Sequence, residues 1–182
     1  AIKKLFGLEA KIKWVNDIFI DGKKICGILT EGITNFETGG IEAAIIGIGI
    51  NLCQSESGFP KEIKNVAGSL LGSEENSKKS TKRNELASMI VYELSKMYFQ
   101  QENSLKNDEC EKAAKSIMKE YKDRTFLIGR NVEISPVIDG KEKYIAKVVD
   151  ITDEAALVVQ KTDGTEIKLQ SGEISLCSGQ FC

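Results

Sequence analysis

The strongest local pattern in the chain is a pair of strand-like segments around a tight turn. The segments IKWVNDIFI (12–20) and KKICGILTE (23–31) mix apolar and charged residues and flank Asp21-Gly22. Asp-Gly is a strong signal for a two-residue hairpin turn. The pattern therefore predicts an antiparallel hairpin over residues 11–29.

Further along the chain, the pattern predicts more strands and two helices. The run IEAAIIGIGINL (41–52) is apolar and β-branched, which is typical of a buried central strand. Helical spacing of apolar residues predicts a helix from about Lys82 to Gln100 and a second helix after residue 107. We expect a mixed α+β fold whose sheet is largely antiparallel.

The spacing of apolar residues changes near residue 126, from helical spacing to a pattern typical of short strands that continues to the end of the sequence. Five short segments follow Asn131, separated by turn signals such as Asp139-Gly140 and Asp163-Gly164. Short strands at this density predict a small barrel of the SH3-like type. We therefore predict a first domain over residues 1–126 and a second over 127–182.

The amino-acid composition limits the kinds of functional site that the chain can contain. The 182 residues carry a net charge of −2, which gives no sign of nucleic-acid binding by bulk charge, and the chain has no long apolar run typical of a membrane span. The chain has no His, which excludes His-based triads and His-ligated zinc. Five cysteines, without a CxxC pair or a recognisable secretion signal, predict reduced thiols in the cytoplasm.

Charged side chains converge on one face of the predicted hairpin. In the simplest register, strand alternation places Lys13, Asp17 and Lys24 on the same face. Cys26 would then lie opposite Asp17, and Gly27 would lie on the other face. Such a face is either a solvated surface or a site where lysines hold a phosphate or carboxylate.

Glycines mark one face of the strand over residues 41–52. Gly47, Gly49 and Asn51 share that face, and glycine inside a strand costs about 0.5–1 kcal/mol relative to Ala. Their pattern indicates that something packs directly on the backbone, either a flat ligand or a neighbouring element. The run GIGINL lacks the third glycine and the following helix of a dinucleotide fingerprint.

These motifs together resemble the biotin–protein ligase family. KWVNDIFIDGKKICGIL resembles the family's KWPND…KxxGIL signature, and GIGINL, Phe59-Pro60, AGSL (67–70) and SGEISL (171–176) resemble its later landmarks. The resemblance covers nearly the whole chain. It implies ATP- and magnesium-dependent formation of biotinyl-5′-AMP, followed by transfer of biotin to a lysine of a carrier, typically the biotin carboxyl carrier protein of acetyl-CoA carboxylase.

The resemblance also assigns roles to residues. It implies that Lys24 contacts the carboxyl end of biotin and the phosphate, and that Asp17 and Lys13 support the phosphates and the metal ion, with Asp17 a candidate magnesium ligand. Residues implied to line the biotin pocket are Gly27, Leu29 and Gly47, and Asn51 is implied to contact the adenylate.

The chain departs from the family pattern at three places. Val15 stands where the family has Pro, and Cys177 stands where some relatives have Arg. The glycine- and arginine-rich biotin loop that precedes KWPND in the family has no counterpart in the sequence. We therefore expect this sequence to correspond to the C-terminal two-thirds of a ligase and to be weakly active or inactive alone.

Two other functions remain open at this stage. A lipoate–protein ligase shares the fold and the adenylate chemistry, and a non-catalytic binding or regulatory module would also suit an exposed sheet edge. Because relatives often dimerise through the catalytic sheet, a homodimer is a further open question. No DNA-binding helix-turn-helix is found, so we expect no nucleic-acid contact from this chain.

Overall fold

The structure, a computed structural model, describes residues 1–55, 57–72, 79–102, 107–135, 142–171 and 173–176. Contacts divide the chain into two compact units. The first, here the hairpin unit, comprises residues 2–10 and 16–87. The second, here the C-terminal unit, comprises residues 1, 11–15 and 88–182.

The hairpin unit is built on three antiparallel strands. It contains the short helix α1 (Ile2–Phe6) and the strands β2 (Asp17–Ile20), β3 (Lys23–Thr34) and β4 (Ile41–Ile50), and β1 (Lys11–Lys13) precedes β2 in the chain. β2 pairs with β3, and β3 pairs with β4. Asp21 and Gly22 have φ angles of 48° and 72°, the left-handed conformation that a tight hairpin turn requires. The predicted hairpin is confirmed.

Strand β4 is exposed, so the expectation of a buried central strand was wrong. Ile41, Ile45 and Ile46 keep 77%, 54% and 47% of their surface accessible. Within the described residues, β4 has a strand partner on the β3 side alone. An apolar β-branched run predicts a strand but not the position of that strand in the sheet. The sequence pattern does not show whether one or two other strands pair with it.

Both predicted helices are present, as α2 (Lys79–Glu102) and α3 (Asn107–Arg124). After them, the C-terminal unit forms an antiparallel sheet. Its strands are β5 (Asn131–Ser135), β6 (Tyr144–Ile151), β7 (Leu157–Gln160), β8 (Glu166–Leu169) and β9 (Glu173–Leu176). They lie in the order β8-β7-β6-β5-β9. The antiparallel α+β class is confirmed, while closure into an SH3-like barrel and the boundary at residue 126 stay predictions.

One apolar cluster forms the core of the C-terminal unit. Residues from β5, β6 and β7 alternate inward and are almost fully buried, as strand periodicity requires. The cluster consists of Trp14, Leu127, Val132, Ile134, Ala146, Val148, Ile151, Leu157, Val159 and Ile174. Trp14 donates its indole N–H to the carbonyl oxygen of Ala155 at 2.8 Å, which pairs the polar atom of this buried ring.

A half-buried phenol in the same unit makes its stability sensitive to alkaline pH. The Tyr121 hydroxyl donates to the carbonyl oxygen of Val15 at 2.8 Å, and burial raises the pKa of Tyr121 to about 12. Because the folded state favours the neutral phenol, this contribution is complete below the unfolded pKa of about 10 and is lost as pH rises through 12.

We therefore expect Tyr121→Phe to reduce the stability loss seen above pH 10. At neutral pH the variant should lose about 1 kcal/mol of unfolding free energy, because it lacks the hydrogen bond. Urea unfolding measured from pH 8 to 11 checks both effects. The control is Tyr92→Phe, since Tyr92 is 60% exposed on α2. Equal alkaline sensitivity of the Tyr121→Phe variant and the parent would contradict the expectation.

Candidate functional site

An ion pair lies at the turn end of the β2–β3 hairpin. The Nζ atom of Lys24 lies 2.6 Å from Oδ1 of Asp17. The Lys24 side chain is 45% exposed and the Asp17 side chain 20% exposed, so the ammonium group can still reach a ligand. The predicted convergence of these two residues is confirmed. Lys13 ends β1 and belongs to the C-terminal unit, so its predicted role at this site stays a prediction.

A β-bulge sets the geometry around this pair. The register steps from Lys24 opposite Phe19 to Cys26 opposite Ile18, so Ile25 is the extra residue. As a result, Gly27 lies opposite Asp17. The simple register, which placed Cys26 opposite Asp17 and Gly27 on the other face, was wrong because it counted no extra residue.

Gly27 leaves open space beside the ion pair. A Cβ atom at this position would lie 3.6 Å from both Oδ1 of Asp17 and Nζ of Lys24. Gly27 lies opposite Gly49 on β4, and Leu29 lies opposite Gly47. Directly opposed residues share a face of a sheet, so the glycines and Leu29 form one continuous face next to the ion pair. Because Gly27 and Gly49 have no side chains, a flat group can approach the backbone there.

A pocket of about 470 Å³ opens at this position, which is a normal size for a small-molecule site. Its floor comes from β3 and the end of β4, and its other wall comes from the segment after β4. The lining residues are Lys24, Ile25, Cys26, Gly27, Gly49, Ile50, Asn51, Ile63, Val66 and Ala67. Apolar walls with one ammonium group and one amide suit a ligand that has both a flat apolar part and an anionic part.

The apolar wall was missed by the sequence reasoning. Ile63, Val66 and Ala67 lie in a loop-rich stretch to which no site residue was assigned. Backbone hydrogen bonds from Lys64 to Pro60 and from Ala67 to Ile63 wind this stretch into consecutive turns. The spacing of Ile63, Val66 and Ala67 is helical, and this was the available signal that the three side chains share one side.

Asn51 links the end of β4 to Lys24. Its backbone N–H donates to the carbonyl oxygen of Ile25 at 2.8 Å, and its side-chain amide donates to the carbonyl oxygen of Lys24 at 3.4 Å. The residue thus lines the pocket and also supports the backbone of the bulge. Its predicted contact with an adenylate stays a prediction.

Comparisons with known proteins show similarity to biotin and lipoate ligases. Residues 2–51 match the model of the biotin/lipoate A/B protein ligase family. The bifunctional ligase/repressor BirA of Bacillus subtilis is 48% identical over 69 residues, which is 38% of this chain and 21% of that protein. The biotin–[acetyl-CoA-carboxylase] ligase of Mycobacterium tuberculosis is 26% identical over 166 residues, which is 91% of this chain and 53% of that protein.

The chain is thus similar to biotin–protein ligases. A solved structure of the biotin protein ligase from Aquifex aeolicus, in complex with biotin and ATP, has a TM-score of 0.62 and 22% identity. It shares its fold with 97% of this chain, and the chain covers 65% of it. The chain thus spans about a fifth to a half of the curated relatives quoted above.

Cys26 is a buried thiol beside the ion pair. Its side chain is 4% exposed and lines the pocket. Burial, and then the charge of Asp17, raise the pKa of the Cys26 thiol, and the nearby charge of Lys24 offsets part of this effect. A raised pKa makes the thiolate form less available, so this position does not favour a cysteine nucleophile.

The residues present suit a metal ion that arrives with its own phosphate ligands. Among the described residues, no group of three or more His, Cys, Asp or Glu side chains could hold a metal. Asp17 offers one carboxylate beside Lys24. Mg²⁺ is typically bound by one or two carboxylates and by substrate phosphates, so this donor set fits a magnesium–nucleotide complex. In the described part of the chain, no helix is long and apolar enough to cross a membrane.

The exposure of the ion pair predicts a small effect on stability. We expect Lys24→Met to change the free energy of unfolding by less than about 1 kcal/mol, because half-exposed pairs gain little net energy. Urea denaturation measures this value. The matched control is Lys115→Met, which removes a pair of the same 2.6 Å length with Glu111 on α3. A loss above about 3 kcal/mol in Lys24→Met would show that Asp17 becomes an unpaired buried charge.

Proposed function

We propose that this protein joins biotin to ATP as biotinyl-5′-AMP and transfers the biotin to a lysine of a biotin carboxyl carrier protein, that of acetyl-CoA carboxylase. The main observation in support is the Lys24–Asp17 ion pair beside the open space at Gly27. It supplies a held cation where a carboxylate and a phosphate can meet. The names of the relatives support the choice of biotin, ATP and acetyl-CoA carboxylase.

The first step joins two anions. A carboxylate oxygen of biotin attacks the α-phosphorus of ATP, a new O–P bond forms, and the bond to pyrophosphate breaks. The positive charge of Lys24 reduces the repulsion between the two reactants and stabilises charge on the phosphoryl oxygens. Asp17 holds the ammonium group toward the pocket.

The second step transfers the biotinyl group. The amine of the carrier lysine attacks the carbonyl carbon of the mixed anhydride, an amide bond forms, and AMP and a proton leave. Lys24 stabilises the negative charge that develops on the oxygens during this attack. Neither step requires an imidazole, in keeping with a sequence that has no His.

The pocket supports separate places for the two halves of the adenylate. Gly27 lines the pocket, and the strand face continues from it to Leu29 and Gly47 outside the pocket. Backbone and apolar groups lie along this face, which suits the ring and chain of biotin. Asn51, with the apolar wall of Ile63 and Val66, suits adenine, since it offers an amide next to flat apolar contact. Magnesium would enter as part of the ATP complex, with Asp17 supporting its phosphates.

We infer that the C-terminal strands act as a small SH3-like domain over residues 127–182, with the catalytic part over residues 1–126. The five-stranded antiparallel sheet of β5 to β9 supports this division. Trp14, from the preceding part of the chain, belongs to the core of this sheet.

A lipoate ligase is the second candidate, because the matching family model covers both biotin and lipoate ligases. Both acids present a carboxylate on an aliphatic chain, so Lys24 would serve either one. Competition of unlabelled biotin and lipoate against labelled biotin separates them. Lipoate competing better than biotin would favour this second candidate.

The proposal is tested by ATP-dependent transfer of labelled biotin to a carrier domain. We expect Lys24→Met to lower the rate of adenylate formation about 100-fold, the usual cost of removing one charge-stabilising group. Lys115→Met, with an equally short ion pair elsewhere, should keep the parent rate. The assay uses a full-length ligase that carries this sequence, because the sequence alone is expected to be weakly active. Absence of biotin transfer by that protein, or an unchanged rate in its Lys24→Met variant, would refute the proposal.

We expect Gly27→Ala to weaken ligand binding without lowering the stability of the fold. Its Cβ would make contacts of 3.6 Å or longer, so the strand tolerates it, and replacing glycine in a strand should add about 0.5 kcal/mol of stability. The same methyl group occupies the open space beside Lys24, so affinity for a non-hydrolysable biotinyl-adenylate analogue should fall about 10-fold. Calorimetric titration measures this affinity.

The control is Gly32→Ala, on the same strand, where a Cβ would meet Ile41 at 3.9 Å outside the pocket. This variant should bind the analogue like the parent. Equal affinity in Gly27→Ala and Gly32→Ala would show that the ligand does not approach Gly27.

A further inference from the structure

The backbone of Lys24 is held by a segment that does not belong to the hairpin. The Lys24 N–H donates to the carbonyl oxygen of Val66 at 2.7 Å, and the Gly68 N–H donates to the carbonyl oxygen of Lys24 at 2.9 Å. Ala67 lies opposite Lys24 in a parallel bridge between these two bonds. Residues 66–68, here the clamp segment, therefore fix both polar groups of the Lys24 backbone.

Gly68 permits this close approach. A Cβ atom at position 68 would lie 2.7 Å from Cβ of Lys23 and 2.9 Å from Cδ1 of Ile25. The Cβ atom of Lys23 is attached to the strand backbone and moves only with it. Ile25 is 3% exposed and has little room to turn. Since the φ of Gly68 is not among the left-handed values, the requirement is for space and not for backbone freedom.

The geometry points to Gly68 as a positioning residue for Lys24, an inference that rests on the role proposed for Lys24 in adenylate formation. The missing side chain lets the clamp segment bond to Lys24 on both sides. These bonds fix the bulge from which the Lys24 side chain reaches Asp17. Val66 and Ala67 also line the pocket, so the same contact sets the distance between the ammonium group and the apolar wall.

We expect Gly68→Ala to push the clamp segment about 1 Å away from β3, because carbon atoms normally approach to about 3.5–4 Å. A misplacement of this size costs roughly 100-fold in rate. In the intact protein, kcat of adenylate formation should therefore fall about 100-fold. The KM for the carrier protein in the transfer reaction should change less than about twofold, because the carrier does not need the clamp segment to bind.

The control is Gly72→Ala in the same stretch of chain. Among the described residues, a Cβ atom at position 72 would meet nothing within 4 Å. This variant should keep the parent kcat. Comparing the two substitutions separates the steric contact from the general effect of replacing a glycine.

A rescue variant identifies the contact that matters. Lys23→Gly and Ile25→Val together remove the atoms that lie 2.7 Å and 2.9 Å from the added methyl group. In the background that carries both substitutions, Gly68→Ala should therefore lower kcat by less than about 10-fold, and the difference between the two backgrounds gives the coupling. If Gly68→Ala alone unfolds, the pair of variants in the doubly substituted background still tests the inference. An undiminished effect of Gly68→Ala in that background would overturn it.

Amide hydrogen exchange tests the positioning without using the reaction. The Lys24 amide, bonded to Val66, should exchange at least about 10-fold faster in Gly68→Ala than in Gly72→Ala. Equal exchange in both variants, or faster exchange with an unchanged kcat, would overturn the inference. A parent protein without ligase activity would refute the proposed function alone, because exchange at Lys24 would still decide whether Gly68 holds this backbone.

Discussion

The β-bulge at Ile25 is the constraint on which the rest of the site depends. It adds one residue to β3 between Lys24 and Cys26, and this shift brings Gly27 opposite Asp17. A regular ladder would turn Gly27 away from Asp17, and a side chain would fill the space beside the ion pair. Bulges often redirect side chains in this way at functional sites. The ion pair and the open glycine face are therefore two results of one irregularity.

The bulge is stable because its backbone groups find partners in two other segments. Lys24 bonds to Val66 and Gly68, and Ile25 accepts from Asn51. Buried backbone groups without partners would cost about 1–3 kcal/mol each, so an unsupported bulge would revert to a regular ladder. The stretch after β4 thus serves two purposes, since it closes the pocket and completes the hydrogen bonding of the strand that carries Lys24.

The surroundings of Lys24 also explain why a charged side chain lies in a strand. Asp17 lies 2.6 Å from the ammonium group, so the strand carries a paired charge and not an isolated one. Partial exposure keeps the cost of desolvating Lys24 small. The same surroundings raise the pKa of the Cys26 thiol, which lowers its reactivity.

The sequence by itself determined the local parts of this protein. The Asp21-Gly22 turn, the helices, the C-terminal strands and the meeting of Asp17 with Lys24 follow from residue types and short spacings, because turn geometry and strand alternation act over a few residues. Only the tertiary structure decided the bulge, the edge position of β4, and the contact of residues 66–68 with Lys24. Each of these depends on chain segments that meet across tens of residues. The packing of Gly68 against Lys23 and Ile25 produces no periodic pattern in the sequence, so it could not be predicted from the sequence.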